Sequence, residues 1–206
     1  HQGVAVVPST EYPGWRGQVR ALDLTKTPPE ELWSAGDVLD NTYYYQRALF
    51  SGLPSVNSGA PVRLMNGSGV VNVDGSCSGC GNVGLRQVWS KVGTPPSDDE
   101  IRKMVKWLAG KGREWKLPPM LHSTPAVVGP PPKYGIKDHE AFRSAHANRE
   151  RLIYVASNEG LLHAFRNKDG SEAFAYLVPD ALPGLYKLWQ RGGQDADPAQ
   201  FNWILA

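Results

Sequence analysis

Short apolar runs broken by turn residues set the rhythm of the chain. The first stretch, GVAVVPSTEY, ends in turn residues; beyond Pro13-Gly14, WRGQVRALDL alternates Val19 and Ala21 with polar neighbours, with a bulge expected near Leu22. Two strands joined by a turn follow from this pattern. Thr27-Pro28-Pro29 interrupts, since neither proline can donate to a ladder, and EELWSAG resumes as a third strand with Leu32 and Trp33 as its buried positions. YYYQRALF fits strand or helix, and PVRLMNGSGVVNVDGS reads as a hairpin turning at Asn66-Gly67 or Ser68-Gly69.

The period then changes. Ser97 follows Pro95-Pro96 and stands three residues before Glu100, a spacing that lets hydroxyl and carboxylate satisfy each other's orphan backbone donors at a helix start. Ile101, Met104, Val105 and Leu108 form one apolar stripe, and Gly110 can supply the left-handed residue that stops the helix, which is placed at 98–109. From Leu121 the chain returns to sheet: LHSTPAVVGPPP holds a short buried strand stopped by three prolines, and 133–150 reads as polar and irregular. RLIYVASNEGLLHAFRNKDGSEAFAYLVP is three β-rich runs separated by Asn158-Glu159-Gly160 and Lys168-Asp169-Gly170, whose glycines can take positive φ without steric cost. That is an up-and-down meander. The tail reads as a loop around Gly192-Gly193 and a last apolar run, FNWILA, expected to be a strand.

Composition narrows the class. At 206 residues, 41% hydrophobic and 20% charged, the chain can bury a core; 22 Gly, 17 Pro, 7 Trp and 8 Tyr favour turns and sheets over long helices. A formal charge of +2 with no block of like charges argues against nucleic acid as a partner. Nothing approaches the roughly twenty consecutive apolar residues of a membrane-spanning helix, so no transmembrane segment is expected. The opening HQGVAVVPST has neither the basic start nor the cleavage region of a secretion signal; with His1 in place of an initiator Met, a processed or trimmed chain is expected.

Two segments look like copies of one unit. Gly160-Leu-Leu-His-Ala164 and Gly17-Gln-Val-Arg-Ala21 share a Gly and an Ala four residues apart, each followed by a turn and an aromatic, Phe174 and Trp33 respectively. In such a unit the Gly closes a turn, the Ala lets one sheet approach the next, and the aromatic fills the gap between sheets. VASNEGLLHAFRNKDGSEAF resembles the blade repeat of quinoprotein-type propellers. HSTPAVVGPP, followed by that run and AYLVP, is more specifically similar to the propeller domain of the PilY family, type IV pilus tip-associated assembly proteins and adhesins. GWRGQVRALDL and ELWSAG are similar to the preceding blade. The resemblance is specific over 121–179 and faint over 37–96; LPPMLHSTP replaces an acidic, glycine-containing lead-in, and Glu159 stands where an Asp is usual.

The resemblance implies an all-β fold, a partial β-propeller of quinoprotein type with four-stranded antiparallel blades. Residues 1–36 would be strands of a first blade, 37–120 an irregular insertion bearing the hairpin and the helix near 98–109, 121–179 a complete blade, and 180–206 a loop and the first strand of the next. Gly17, Asn158, Gly160, Asp169 and Gly170 would be the structural turn positions. A ring needs four to eight blades, so a fragment of a larger propeller, or one completed by another chain, is expected. The implied function is non-catalytic: pilus assembly or surface attachment through binding, at the cell surface after export through the periplasm. The implied partners are minor pilins or other pilus components, the remainder of the propeller, and a host or surface ligand.

An exported protein would hold Cys77 and Cys80 as a local disulfide, with free thiols as the alternative. The pair suits neither a covalent haem, since Gly81 follows the second cysteine, nor a four-ligand zinc site. His122 and His163 lie in the segments that carry the resemblance and read as packed, hydrogen-bonded imidazoles at strand ends, with no carboxylate at ligand spacing; His139 and His146 read as solvated loop residues. Asn72-Val-Asp74-Gly75 and Asp98-Asp99-Glu100 are too short for the alternating oxygen ligands of a calcium loop, and the second suits a helix N-terminus. No metal or cofactor is therefore expected in this segment, and any calcium would lie elsewhere in the full-length protein. The competing reading is a quinone-dependent dehydrogenase, because related propellers have that chemistry. It would need adjacent cysteines, calcium and an acidic base, and no catalytic residues of that kind can be assembled. Tyr43, Tyr44 and Tyr45 could form a sugar-binding surface, although core packing by alternate tyrosines is the plainer expectation.

Overall fold

The computed structural model describes residues 3–12, 14–52, 61–71, 85, 94 and 96–192. Their strands form two sheets. The first is β1 (Val4–Glu11), β2 (Arg16–Asp23) and β3 (Glu30–Ser34), antiparallel and in sequence order. The β2–β3 ladder shifts register between Ala21 and Leu22, at the expected bulge. The second sheet contains β4 (Leu49–Ser51), β5 (Val62–Arg63), β6 (Ala126–Val128), β7 (Leu152–Ala156), β8 (Leu161–Arg166) and β9 (Glu172–Leu177), in the order β5-β4-β9-β8-β7-β6.

Strands β6 to β9 form an antiparallel meander over the segments read from the sequence. The sheet does not stop there. β4 adds to β9 in parallel register and β5 pairs antiparallel with β4, so part of the stretch expected to be an irregular insertion extends the sheet to six strands. The hairpin turn near Asn66 is present: Asn66 N donates to Val70 O at 3.0 Å, Gly69 N to Asn66 O at 3.0 Å, and Met65 bridges Val71.

Among the described residues four α-helices complete the architecture: α1 (Ala35–Asp40), α2 (Asp98–Leu108), α3 (Lys137–Ala145) and α4 (Leu182–Gln190). Ser97 and Glu100 make the reciprocal capping pair at the start of α2, Ile101, Met104, Val105 and Leu108 are its buried stripe, and Gly110 follows its end at φ +107°. The other three helices depart from the sequence reading. α1 is capped by Ser34, whose hydroxyl accepts from Asp37 N, and takes over where EELWSAG was read as strand alone. α3 replaces the irregular loop; it has no side-chain cap, and Phe142, its large apolar residue, is exposed, so neither a start signal nor a buried stripe marks it. α4 lies where a loop was expected. Pro183 sits in its first turn, where a proline's missing N–H costs nothing, while Leu182, Leu185 and Leu188 face the core.

Two apolar clusters share the inner face of the second sheet. One joins β4, β8 and β9 to α2 and α4 through Leu49, Leu161, Leu177, Met104, Leu108 and Leu185. The other joins Val19 of β2, Ala35 and Leu39 of α1, and the loop residues Leu117 and Met120 to Val155 and Phe165. The first sheet thus packs on the β7–β8 side. Trp33 carries that contact: its Nε1 donates to Asn167 O at 3.0 Å, and a Cβ on Gly170 (φ +71°) would come within 2.6 Å of its ring. Leu32, read as buried, is 51% exposed, because the alternation that turns Trp33 inward turns its neighbour out. β6, also read as buried, is an edge strand with Val127 51% and Val128 40% exposed.

Candidate functional site

The buried polar groups of the chain concentrate at β8 and at the turn that precedes it. Ser157–Gly160 joins β7 to β8; Gly160, at φ +81°, closes it with its N–H donating to Ser157 O at 3.1 Å. A strap from Trp115 to Leu121 laces this turn to the first sheet. Gly17 N donates to Leu117 O at 3.0 Å, Trp115 Nε1 to Gly17 O at 2.9 Å and Met120 N to the Thr10 hydroxyl at 3.0 Å. At the other side Asn158 N donates to Pro119 O at 2.9 Å, and Leu121 N to Asn158 Oδ1 at 2.7 Å.

Gly17 therefore closes no turn. It lies on β2 opposite Thr10, and what requires glycine is the strap: a Cβ there would fall 1.8 Å from Pro118 O. Asp169 and Gly170 lie in the β8–β9 turn, where Asp169 Oδ1 accepts from Ser171 N at 3.0 Å and from its hydroxyl at 2.6 Å. Cys77, Cys80, Asn72, Asp74, Gly75 and FNWILA lie outside the described residues.

Glu159, at the tip of the β7–β8 turn, is fully buried against Arg113. Nη1 and Nη2 donate to its two oxygens at 2.6 and 2.8 Å, both side chains are at 0% exposure, and the guanidinium lies 4.4 Å from the Trp107 ring centroid. A second buried pair lies one strand over. Arg47 Nε and Nη2 donate to Glu172 at 2.7 and 2.8 Å, and Nη1 caps Leu108 O, at the end of α2, at 3.2 Å. His163, mid-strand on β8, places Nδ1 2.9 Å from Glu172 Oε1 and Nε2 3.2 Å from Ser157 Oγ, with its ring stacked on Phe165.

The charges in this chain fix its protons. Burial opposes the Glu172 charge, but the Arg47 guanidinium and the hydrogen bonds from His163 and Arg47 outweigh it and bring the carboxyl down to about 2. Burial lowers the His163 pKa, against the pull of Glu172, so the ring is neutral near pH 7. An ionised Glu172 only accepts, which assigns the proton to Nδ1 and leaves Nε2 to accept from the Ser157 hydroxyl. Serine, imidazole and carboxylate stand in the order used by acyl-transfer enzymes. Here, however, Arg47 holds both carboxylate oxygens, the imidazole is fully buried, and its lowered pKa makes it a weak base. The observed arrangement ties β8, β9, the segment before β4 and the end of α2 together.

The sequence reading had His163 as a packed, hydrogen-bonded imidazole at a strand end; the ring is packed and hydrogen-bonded, but it lies mid-strand. Arg47, Arg113 and Glu172 went unnoticed because their partners lie 46 and 125 residues away. The available signal was a charged residue inside an apolar strand, Glu172 in EAFAYLV. His122 is exposed at φ +63°, His139 lies on α3 with Nε2 2.8 Å from Pro132 O, and His146 ends that helix. Asp98, Asp99 and Glu100 begin α2, where Glu100 caps Ser97 and Asp99 pairs with Lys103 at 2.7 Å. Tyr44 packs against the larger core, while Tyr43 is 64% exposed and stacks on Tyr45 at 5.4 Å. Among the described residues no cluster of three His, Cys, Asp or Glu could hold a metal, and no helix is long and apolar enough to cross a membrane.

Among the described residues, clefts open on the surface at three places. One of about 680 Å³ lies between the sheets and includes Val6, Trp33, Val127 and Arg151. A second, of about 410 Å³, covers the outer face of the six-stranded sheet and is lined by Phe50, Pro61, Tyr154, Leu162, Phe174 and Tyr176. The third, about 250 Å³, lies at the sheet end between residues 121–124 and 156–158.

No family model and no solved structure matches the chain. Curated proteins do. The type IV pilus biogenesis factor PilY1 of Pseudomonas aeruginosa strain UCBPP-PA14 is 26% identical over 84% of this chain and 15% of its own length, and that of strain PAK is 26% identical over 87% and 16%. A PilY1 homolog of Xylella fastidiosa strain Temecula1 is 41% identical over 51 residues, 25% of this chain and 4% of its own. The chain thus spans about one sixth of the length of the P. aeruginosa relatives it matches. With two sheets whose strands follow the segments that carried the resemblance, and with these relatives along most of its length, the chain is related to the PilY family.

Proposed function

We propose that this segment is a non-catalytic part of a type IV pilus biogenesis and adhesion protein, exported through the periplasm to the cell surface, and that it acts by binding. The observation that carries this reading is the similarity over 84% of the chain to proteins named type IV pilus biogenesis factor. The geometry supports a scaffold: its buried ion pairs and hydrogen bonds clamp strands and loops together, and its clefts face outward. We also infer a partial propeller. Trp33 of the first sheet seats at Gly170 of the second, and Phe174, its counterpart in the repeat, stands on the second sheet's open aromatic face, ready to seat against a further sheet. The proposed partners are minor pilins or other pilus components, a host or surface ligand and the remainder of the propeller; a Cys77–Cys80 disulfide belongs to the same proposal, as does calcium, if bound, in another part of the full-length protein.

The test is a deletion strain complemented with the full-length gene or with the gene lacking this segment. Loss of surface pili, twitching and attachment, restored only by the full-length gene, is expected. Unchanged piliation, together with quinone-dependent alcohol oxidation by the purified protein, would replace this reading with the dehydrogenase one.

A further inference from the structure

The cleft at the sheet end is lined by polar side chains. Its polar lining is His122, Ser123, Thr124, Ser157 and Asn158, with no carboxylate, lysine or arginine among the residues that form it. Several acceptor sites there are already used. Asn158 Oδ1 takes Leu121 N, which fixes the orientation of the amide, and Ser123 Oγ takes Ala156 N at 3.0 Å, which leaves the serine proton free to donate. Ser157 is held from behind by His163 and Glu172. The Asn158 side-chain amide nitrogen has no acceptor although the residue is only 3% exposed. A buried donor without a partner is costly and calls for an explanation. His122, in the cleft wall, sits at φ +63°, a backbone conformation uncommon for non-glycine residues.

We propose that this cleft binds a neutral amide carbonyl, presented by the main chain of an extended peptide, with Asn158 Nδ2 and the Ser123 hydroxyl as donors. Charge favours carbonyl over carboxylate: no lysine or arginine lines the cleft, and the buried Arg113 is paired with Glu159. Size agrees, since about 250 Å³ is below the span of drug-sized pockets, roughly 300–1,000 Å³, and suits one peptide group with its flanks. Position favours a peptide over a sugar's acetamido group. The cleft opens beside residues 121–125, which lead directly into β6, a strand whose outer edge has no partner strand among the described residues, so a partner backbone can run on along it. The proposal does not depend on the family relation.

Titration of the ¹⁵N-labelled chain with N-acetylglycinamide, followed by NMR, tests it. A saturable shift of the Asn158 side-chain amide and of residues 121–124 is expected, with roughly millimolar affinity for so small a probe. Asn158→Asp keeps the acceptor for Leu121 N but removes the donor and should weaken binding about tenfold or more, with the remaining amide spectrum unchanged; Ser123→Ala should weaken it less. If Asn158→Asp disturbs the spectrum globally, Asn158→Ser at the same position serves as the second variant. No saturable shift at the cleft, meaning the donor is met by water alone, overturns the proposal. Equal binding of acetate overturns the neutral-carbonyl assignment, and saturable binding of N-acetylglucosamine but not of the peptide amide overturns the peptide.

Discussion

Arg113 and Glu159 face each other through two parallel hydrogen bonds, both side chains sealed from solvent, and so join the loop after α2 to the turn between β7 and β8. Desolvating two charges offsets much of their attraction, so the pair contributes little net stability while remaining costly to break from one side. Glu159→Gln should destabilise the chain by about 3–5 kcal/mol in urea unfolding. The double change Arg113→Met with Glu159→Leu should cost less than either single change, because no unpaired charge stays buried. A double mutant that sums the two single losses would mean the residues act independently.

The Arg47–Glu172–His163 chain makes stability fall with acid. Glu172 is held near 2, below its ordinary 4.5, so its contribution is fully present above 4.5 and is lost as pH falls toward 2, about 3 kcal/mol in all. His163 is also depressed, from 6.5, so the unfolded chain takes up its proton first and stability begins to drop below pH 6.5. Denaturant melts at pH 7, 5 and 3 should show a continuous decline. His163→Gln should flatten the upper part of that decline and Glu172→Gln the lower part. Unchanged slopes in both variants would move the acid sensitivity to other groups.

Two glycines separate space from backbone strain. Gly112 sits at φ +75° with nothing within 4 Å of a new Cβ, so Gly112→Ala should cost only the left-handed conformation, about 1–2 kcal/mol. At Gly17 the new methyl would meet the Pro118 carbonyl at 1.8 Å, so the strap must move, and Gly17→Ala should cost about 3 kcal/mol or more. Thermal unfolding of the two variants side by side ranks them; the reverse order would show that the strap yields easily.

What could be read from the sequence was local. The capping pair at Ser97 and Glu100, the stripe after it, the Ala21–Leu22 bulge and the turn at Gly160 all rest on contacts within a few residues, and each is present. The site was different in kind. Ser157, His163, Glu172 and Arg47 meet because β8 pairs with β9 and because the segment before β4 arrives from 125 residues away, which no spacing rule encodes. The helix α4, in a stretch read as loop, has no side-chain cap to announce it; the burial of Leu185 and Leu188 decides the outcome. Gly17 and Gly160 shared a pattern but not a cause, one needing space and the other a positive φ.

Removing the capping hydroxyl should loosen α2 locally. Ser97→Ala leaves Glu100 N without its acceptor and removes the hydroxyl donor from the Glu100 carboxylate, which keeps the residue-97 N–H and Tyr186 of α4, at 2.8 Å, as donors. A loss of about 1 kcal/mol is expected, with faster amide exchange confined to the first turn of α2. Exchange that quickens equally along the whole helix would show that the tertiary face, not the cap, holds the first turn.

Trp33 and Phe174 occupy matching places in the repeat but stand in different surroundings, which makes them a pair of probes for the open sheet face. Trp33 already has its neighbour: the indole fills the space over Gly170 and donates to Asn167 O. Trp33→Ala should therefore cost about 3 kcal/mol in the 206-residue chain, and Trp33→Phe, which keeps most of the packing and loses the hydrogen bond, about 1 kcal/mol. Among the described residues Phe174 makes edge contacts with Phe50 at 6.4 Å and Tyr154 at 6.1 Å between ring centres, on a cleft open to solvent. Phe174→Ala should cost less than Trp33→Ala in the same chain, about 2 kcal/mol, since its half-buried ring keeps a face on the open cleft and gives up edge-to-face contacts. In the longer protein the loss should rise toward the Trp33 value once a further sheet covers the ring. Urea unfolding of each variant in both contexts measures the difference, and an equal, small Phe174 effect in the two would mean that the aromatic face stays uncovered.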